Sequence, residues 1–218
     1  MKIIALSDLH NATHYLEPLA EPMSAADVIL LAGDITNNGR RENISEVIEF
    51  IRQYNKSILA IPGNWDGQEV SAFLESEKIS LDRRHVLWDE VAFVGVGGSL
   101  ISHNSPNEIS ESDFESFLNQ AINGIAPHLP TILVSHQPPI GTFADKTWLN
   151  DHVGSTSVRS FIERFQPLIC FTGHIHEGIG IDTIGVTKII NPGPVWKNQY
   201  AYAEIAEGKV LCLEVRIF

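Results

Sequence analysis

Lys2-Ile3-Ile4-Ala5-Leu6-Ser7-Asp8-Leu9-His10 runs from an apolar stretch straight into two side chains of metal-ligand type. A short apolar run bounded by an irregular polar segment reads as a strand covered on both faces. The Asp8-x-His10 spacing sends alternate side chains of an extended or loop segment to one side, so both can face one pocket. Residues 28–31 repeat the pattern and lead to Gly33-Asp34, and residues 57–61 lead to Pro62-Gly63-Asn64-Trp65-Asp66. Residues 131–135 lead to His136, and residues 168–171 to Gly173-His174-Ile175-His176.

Helical periods separate these runs. Ile44, Val47, Ile48 and Ile51 form the apolar stripe of a helix over 41–54, and a second helical stretch lies near 69–77. Ser112 with Glu115 predicts a capping box opening a helix whose Phe114, Phe117, Leu118, Ala121 and Ile122 share one face. Val158, Phe161, Ile162 and Phe165 predict another helix over 157–165. Strands are expected at 85–88 and 91–96, and antiparallel runs at 180–184, 187–190, 200–205 and 209–218 close the chain. This order predicts an α/β layered fold with a mixed sheet or two packed sheets, in one domain over 1–218. The strand ends are expected to open on one sheet edge, where ligands bind. Long irregular segments at 97–109 and 137–154 are expected to rim that pocket.

The chain has 218 residues, 44% hydrophobic and 19% charged, enough for a sizeable core. Its formal charge of −12 argues against a basic stripe gripping nucleic acid, and Arg83-Arg84 reads as a solvated turn. Cys170 and Cys212 sit in apolar runs and read as inert buried thiols rather than a disulfide framework. The N-terminus reaches a charge too early for a signal peptide, and no apolar run is long enough to span a membrane. A cytoplasmic protein is expected.

Asp8, His10, Asp34, Asn64, His136, His174 and His176 make a donor set of two carboxylates, one amide and four imidazoles. That is too many for one tetrahedral ion and fits two divalent ions sharing a bridging carboxylate. The five fragments, in this order, resemble the motifs of the calcineurin-like metallophosphoesterases. The likeness extends to Gly97-Gly98-Ser99, to residues 136–142 and 152–155, and to Asn191-Pro192-Gly193-Pro194. Those segments are similar to a small microbial branch of phosphoesterases related to cyclic-nucleotide phosphodiesterases. The resemblance implies a four-layer sandwich of two mixed β-sheets flanked by helices. It implies that Asp8, His10 and His176 hold one metal, that Asp34 bridges, and that Asn64, His136 and His174 complete the second. It further implies two divalent ions, manganese first with iron, zinc or nickel as alternatives, and attack on phosphorus by a metal-bridging hydroxide, with Asp34, Asn64 and His136 as the catalytic core.

In most of that family the residue after the Asn ligand is a His that protonates the leaving group, help worth about 10²–10⁴ in rate. Here it is Trp65, which either packs over the turn or forms a wall for an aromatic group. Asn11, Trp65, His103 and His152 are candidate substrate contacts, and Asp66 is expected to orient the turn. The expected activity is hydrolysis of a small phosphodiester or an activated phosphomonoester. The alternative is a metal-binding protein of the same scaffold with an interaction or regulatory role. A nuclease fits poorly, because the chain is acidic and short. The strand at the C-terminus reads as a sheet edge, and the oligomeric state stays open.

Overall fold

The computed structural model describes every residue except Asn38 and His103. From the N-terminus, β1 (Lys2–Leu6), a 3-10 helix (Thr13–Leu19), α1 (Ala20–Ala25), β2 (Val28–Ala32), α2 (Arg41–Arg52), β3 (Ile58–Ile61) and α3 (Gln68–Ser76) form the first half. The middle holds β4 (Arg84–Trp88), β5 (Val91–Val96), β6 (Ser99–Leu100), β7 (Glu108–Ile109), α4 (Glu111–Ile122) and β8 (Thr131–Ser135). The chain ends with α5 (Thr156–Phe165), β9 (Ile169–Phe171), β10 (Gly180–Ile184), β11 (Thr187–Asn191), β12 (Gln199–Ala206) and β13 (Lys209–Ile217).

Among the described residues the strands form two large mixed sheets, ordered β13-β12-β1-β2-β3 and β10-β11-β9-β8-β5-β4. Period-two alternation explains why they stack. Ile3 and Ala5 of β1, Leu30 of β2 and Leu59 of β3 meet Phe93, Ile132, Ile169 and Phe171 of the other sheet in one buried cluster. The intervening residues point outward: Ile4, Leu6, Ile29 and Leu31 pack on Ile44, Val47, Ile48 and Ile51 of α2. Val94, Leu133 and Cys170 pack on Phe114 and Leu118 of α4 and Val158 and Ile162 of α5. The result is helix, sheet, sheet, helix, as the resemblance implied. Because β1, β2 and β3 run parallel in one sheet and β5, β8 and β9 in the other, the strand ends that carry the candidate ligands come from two sheets rather than one edge.

Several local expectations shift. The helix α4 is capped by Ser110, not Ser112: the Ser110 side chain accepts from Asp113 N, and Asp113 accepts from Ser110 N. Asp113 serves at the third helical position in place of Glu115, which moves the start forward by two residues. The 3-10 helix and α1 had no clear sequence signal, because Pro18 and Pro22 interrupt their periodicity. Cys170 is buried, but Cys212 on the edge strand β13 is only half-buried. Arg83 lies over the Phe117 ring, 3.8 Å from its centroid, and Arg84 pairs with Glu75. No helix among the described residues is long and apolar enough to cross a membrane.

The first residue of α4 ties the two helices on the outer face together. Glu111 accepts from Ser155 Oγ (2.7 Å), Thr156 N (2.7 Å) and Ser157 N (3.0 Å), at the positive end of α5. Partial burial would raise this carboxyl, but those hydrogen bonds outweigh it and hold it below its usual range. A group lowered on folding contributes stability above its unfolded value and loses it as pH falls through the folded one. Glu111→Gln is therefore expected to reduce unfolding free energy by about 1–2 kcal/mol at neutral pH. In denaturant titrations that difference from wild type should shrink below about pH 4, and a pH-independent difference would contradict the account.

Candidate metal centre

The candidate ligand residues leave their strands through strained turns. Asp8, His10 and Asn11 take left-handed backbone with φ of 54°, 48° and 65°, and Asp34 and His174 do so at 50° and 65°. Such conformations cost non-glycine residues roughly 1–3 kcal/mol each and persist only where neighbours hold them. Here the neighbours are each other's loops. Asp8 N donates to Gly33 O at 3.0 Å, His10 N to Asp34 O at 3.0 Å, and Asn11 N to Ile35 O at 3.1 Å.

Asp66 fastens the next loop to these two. Its buried carboxylate accepts from Ile35 N (2.9 Å), Thr36 N (2.9 Å), Thr36 Oγ1 (2.8 Å) and Gly63 N (2.8 Å). Burial and the Asp34 charge raise its pKa from the usual Asp value despite those donors. Gly63 must be glycine because any Cβ would strike the Asp34 backbone and carboxylate, and a Cβ at Gly173 would strike Ser7 and Asp8. Opposite, the Asn191 amide donates to Ile175 O at 2.9 Å and holds the Gly173–His176 loop in place. The 97–109 segment braces the Asn64 turn: Asn107 N donates to Asn64 O at 3.0 Å and Asn107 Nδ2 to Gly63 O at 3.0 Å.

These ties produce two groups of donors. Ligand atoms of Asp8, His10 and His176 lie within 4.8 Å of one another, and so do those of Asp34, His136 and His174. Asp34 touches both groups, with Oδ2 3.7 Å from His10 Nε2 and 3.4 Å from His136 Nε2. Asn64 Oδ1 lies 3.1 Å from His136 Nε2, beside the second group. His136 Nδ1 donates to Ala32 O at 2.8 Å, which turns Nε2 toward the pocket. Burial alone would lower His136, but Asp34 and Asp8 overcome it and push it up to about 9. His174, half-buried, is pushed down to about 4 by desolvation and by the neighbouring His136. Burial would raise Asp8, yet the His176 contact and the nearby imidazoles hold it below the usual carboxylate range.

Divalent ions fit this arrangement. Among the described residues, Asp8 Oδ1 and His10 Nδ1 are buried without a hydrogen-bond partner, although His176 Nε2 stands 3.3 Å from that oxygen. An unpaired buried carboxylate oxygen is costly, and a cation relieves it. The donor set of carboxylate, imidazole and amide oxygen suits first-row divalent metals.

Other candidates are placed variously. Trp65 is 45% exposed, and its backbone N donates to Asp34 Oδ1 at 2.9 Å, so the residue serves the centre through its main chain. Asn11 Oδ1 is buried without a partner among the described residues. His152 Nδ1 lies 2.7 Å from the buried Asp145, in the segment between β8 and α5. His103 lies outside the described residues. One residue had no motif to reveal it: Trp196, 37% exposed, has its ring centroid 5.5 Å from that of His10 and 4.9 Å from that of His176. Its segment, after Asn191-Pro192-Gly193-Pro194, was part of the resemblance, but no ligand spacing marks a tryptophan.

Comparison with known proteins bears on the family and the fold. The family described as calcineurin-like phosphoesterase matches residues 1–178, and the chain belongs to that family. It is 39% identical over 208 residues to an uncharacterized protein of Methanocaldococcus jannaschii, covering 93% of this chain and 91% of that one. It is 24% identical over 199 residues to a 3',5'-cyclic adenosine monophosphate phosphodiesterase of Haemophilus influenzae, covering 88% of this chain and 69% of the relative. The crystal structure of a Thermus thermophilus protein superposes with a TM-score of 0.77 at 19% identity, covering 99% of this chain and 98% of the other. The family binds divalent metals, and the two donor groups are this chain's candidates for holding them.

Removing Asp66 tests the framework. Asp66→Ala strands four buried donors, so unfolding free energy should fall by about 3 kcal/mol or more. The wild-type melting temperature should rise with Mn²⁺ concentration, whereas the variant should respond little. Calorimetry with Mn²⁺ titrated into both proteins checks this, and an unaltered Mn²⁺ response in the variant would contradict it.

Proposed function

We propose that this protein is a dinuclear, metal-dependent phosphoesterase that hydrolyses a small phosphodiester or an activated phosphomonoester. The observation that carries the reading is Asp34, whose carboxylate stands between the Asp8/His10/His176 group and the His136/His174 group. Asp8, His10 and His176 would hold one ion and Asn64, His136 and His174 the other, with Asp34 shared. Two divalent ions, manganese in the first instance, would supply positive charge for the phosphoryl oxygens and acidify an attacking water. The carboxylates and imidazoles of the chain set that geometry, and burial of Asp8, Asp34 and His136 keeps bulk water from screening it.

Trp65 offers no proton near neutral pH, so the leaving group must stabilise its own negative charge. This favours phenolate or phosphate leaving groups over alkoxides. Asn11, Trp65 and His152 are the proposed substrate contacts. The phosphodiesterase assignment draws support from the name of the Haemophilus influenzae relative. A cytoplasmic setting accords with two cysteines that form no disulfide. An acidic chain of net charge −12 is not expected to take nucleic acid as its partner.

The test is hydrolysis by Mn²⁺-loaded protein of a nitrophenyl phosphodiester and of an ester with an alkyl leaving group. Wild type should turn over the nitrophenyl ester, and Asp34→Asn and His136→Ala should each lose that activity by about 10³-fold or more. Trp65→His should gain about 10-fold or more on the alkyl ester alone. Activity surviving in both ligand variants would sink the proposal. Two bound ions per chain with no turnover of either ester would instead favour a metal-binding protein with an interaction role, the reading that the missing proton donor suggests.

A further inference from the structure

Trp65 and Trp196 come from opposite ends of the chain, yet they line one cleft with His10 and Asn37. The cleft, about 350 Å³, is wide open to solvent, a shallow platform rather than an enclosed pocket. One wall is fixed to the metal centre: the Trp196 ring packs against both His10 and His176 of the first donor group. The other tryptophan is anchored by its main chain, since Trp65 N donates to Asp34. Asn37 Nδ2 donates to His10 O at 2.8 Å, which places a polar amide beside the aromatic rings of this cleft.

Two large indoles left 45% and 37% exposed beside a polar centre make a poor surface for water and a good one for a flat ring. Packing demands explain neither: Trp65 follows a turn whose geometry its backbone already secures, and Trp196 could meet the imidazoles with a smaller group. We propose that this cleft binds an aromatic or heteroaromatic group of the substrate, of nucleobase or aryl type, by stacking on Trp65 and Trp196. The phosphoryl group then reaches the donors of the adjoining centre. The inference rests on the phosphoesterase reading and narrows its substrate to phosphoesters that carry a flat ring. Where the ring itself carries the ester oxygen, as in an aryl ester, this also gives Trp65 a purpose that suits the loss of a proton donor, because that oxygen leaves as a stabilised anion. A base-bearing substrate would meet the same demand only by cleavage at a phosphate leaving group. For aryl esters, the residue that removes acid catalysis would thus select substrates that do not need it.

Phosphonates test this without turnover, since their phosphorus–carbon bond is not hydrolysed by a phosphoesterase. Calorimetry on Mn²⁺-loaded protein would compare methyl-, cyclohexyl- and phenylphosphonate, with tryptophan fluorescence followed in parallel. The phenyl compound should bind about 5- to 100-fold more tightly than the cyclohexyl one, the span expected for stacking of one ring, and should quench fluorescence. That ratio should fall toward one in Trp65→Leu and in Trp196→Leu and be partly kept in Trp65→Phe and Trp196→Phe. Because the ratio is taken within each variant, a general loss of affinity does not imitate the effect. Binding of all three compounds with no preference for the ring would overturn the inference and leave the phosphoesterase reading standing. So would a ring preference that survives in both leucine variants. Failure of every phosphonate to bind the metal-loaded protein would overturn both.

Discussion

The buried Asp66 carboxylate is the constraint on which the centre depends. It sits at the point where the loops after β2 and β3 must converge, and it accepts from both. Without it, the loops that carry Asp34 and Asn64 would keep the bond from Trp65 N to Asp34 Oδ1 but lose the three Asp66 bonds to Ile35 and Thr36. With it, a shift of one ligand moves the other, so the donors behave as one rigid unit. Glycine at 63 lets the Asn64 loop pass against Asp34 at the distance this arrangement needs. The energetic logic is that of a buried polar network. Fully satisfied, it specifies one geometry, and partly satisfied it would be worse than an apolar core.

The ligand-bearing turns use a second form of constraint. Left-handed backbone at Asp8, His10, Asp34 and His174 is locally unfavourable, and interloop hydrogen bonds offset it. Such turns re-aim side chains that a regular strand would direct into the core or away from it. The cost falls on the folded state before any ion binds, together with the unpaired Asp8 oxygen. A protein built this way holds its donors apart from their nearest hydrogen-bonding solutions. Buried polar atoms left in this state are what a bound cation would satisfy.

The parts legible in sequence were those governed by short-range periodicity and by residue chemistry. Buried strands, the α2 stripe and the order of the donor fragments could all be read, because each is written within about a dozen residues. The convergence of two sheets could not, since parallel strands paired through helices carry no label for which sheet they join. The α4 start was read two residues late because Ser110 and Ser112 each offer a cap, and only the three-dimensional position of Asp113 selects between them. Trp196 was invisible for a deeper reason. A tryptophan has no ligand spacing, and its meaning here comes from rings that lie some twenty residues and nearly the whole chain away.

Trp65 shows why a motif letter and a motif's geometry must be separated. The change from the usual His alters the side chain but keeps the backbone donor that holds Asp34. The tie to Asp34 therefore does not depend on the side chain at 65, which lines the cleft beside His10. Had the replacement been a small residue, the cleft would have opened and the lost acid would be a plain deficit. A large indole, 45% exposed, instead presents a flat apolar surface there. Among phosphoesters, planarity of the departing group and the stability of its anion go together when the ring bears the ester oxygen. One substitution can then shift both recognition and leaving-group preference in the same direction, without a single change in the metal-ligand set.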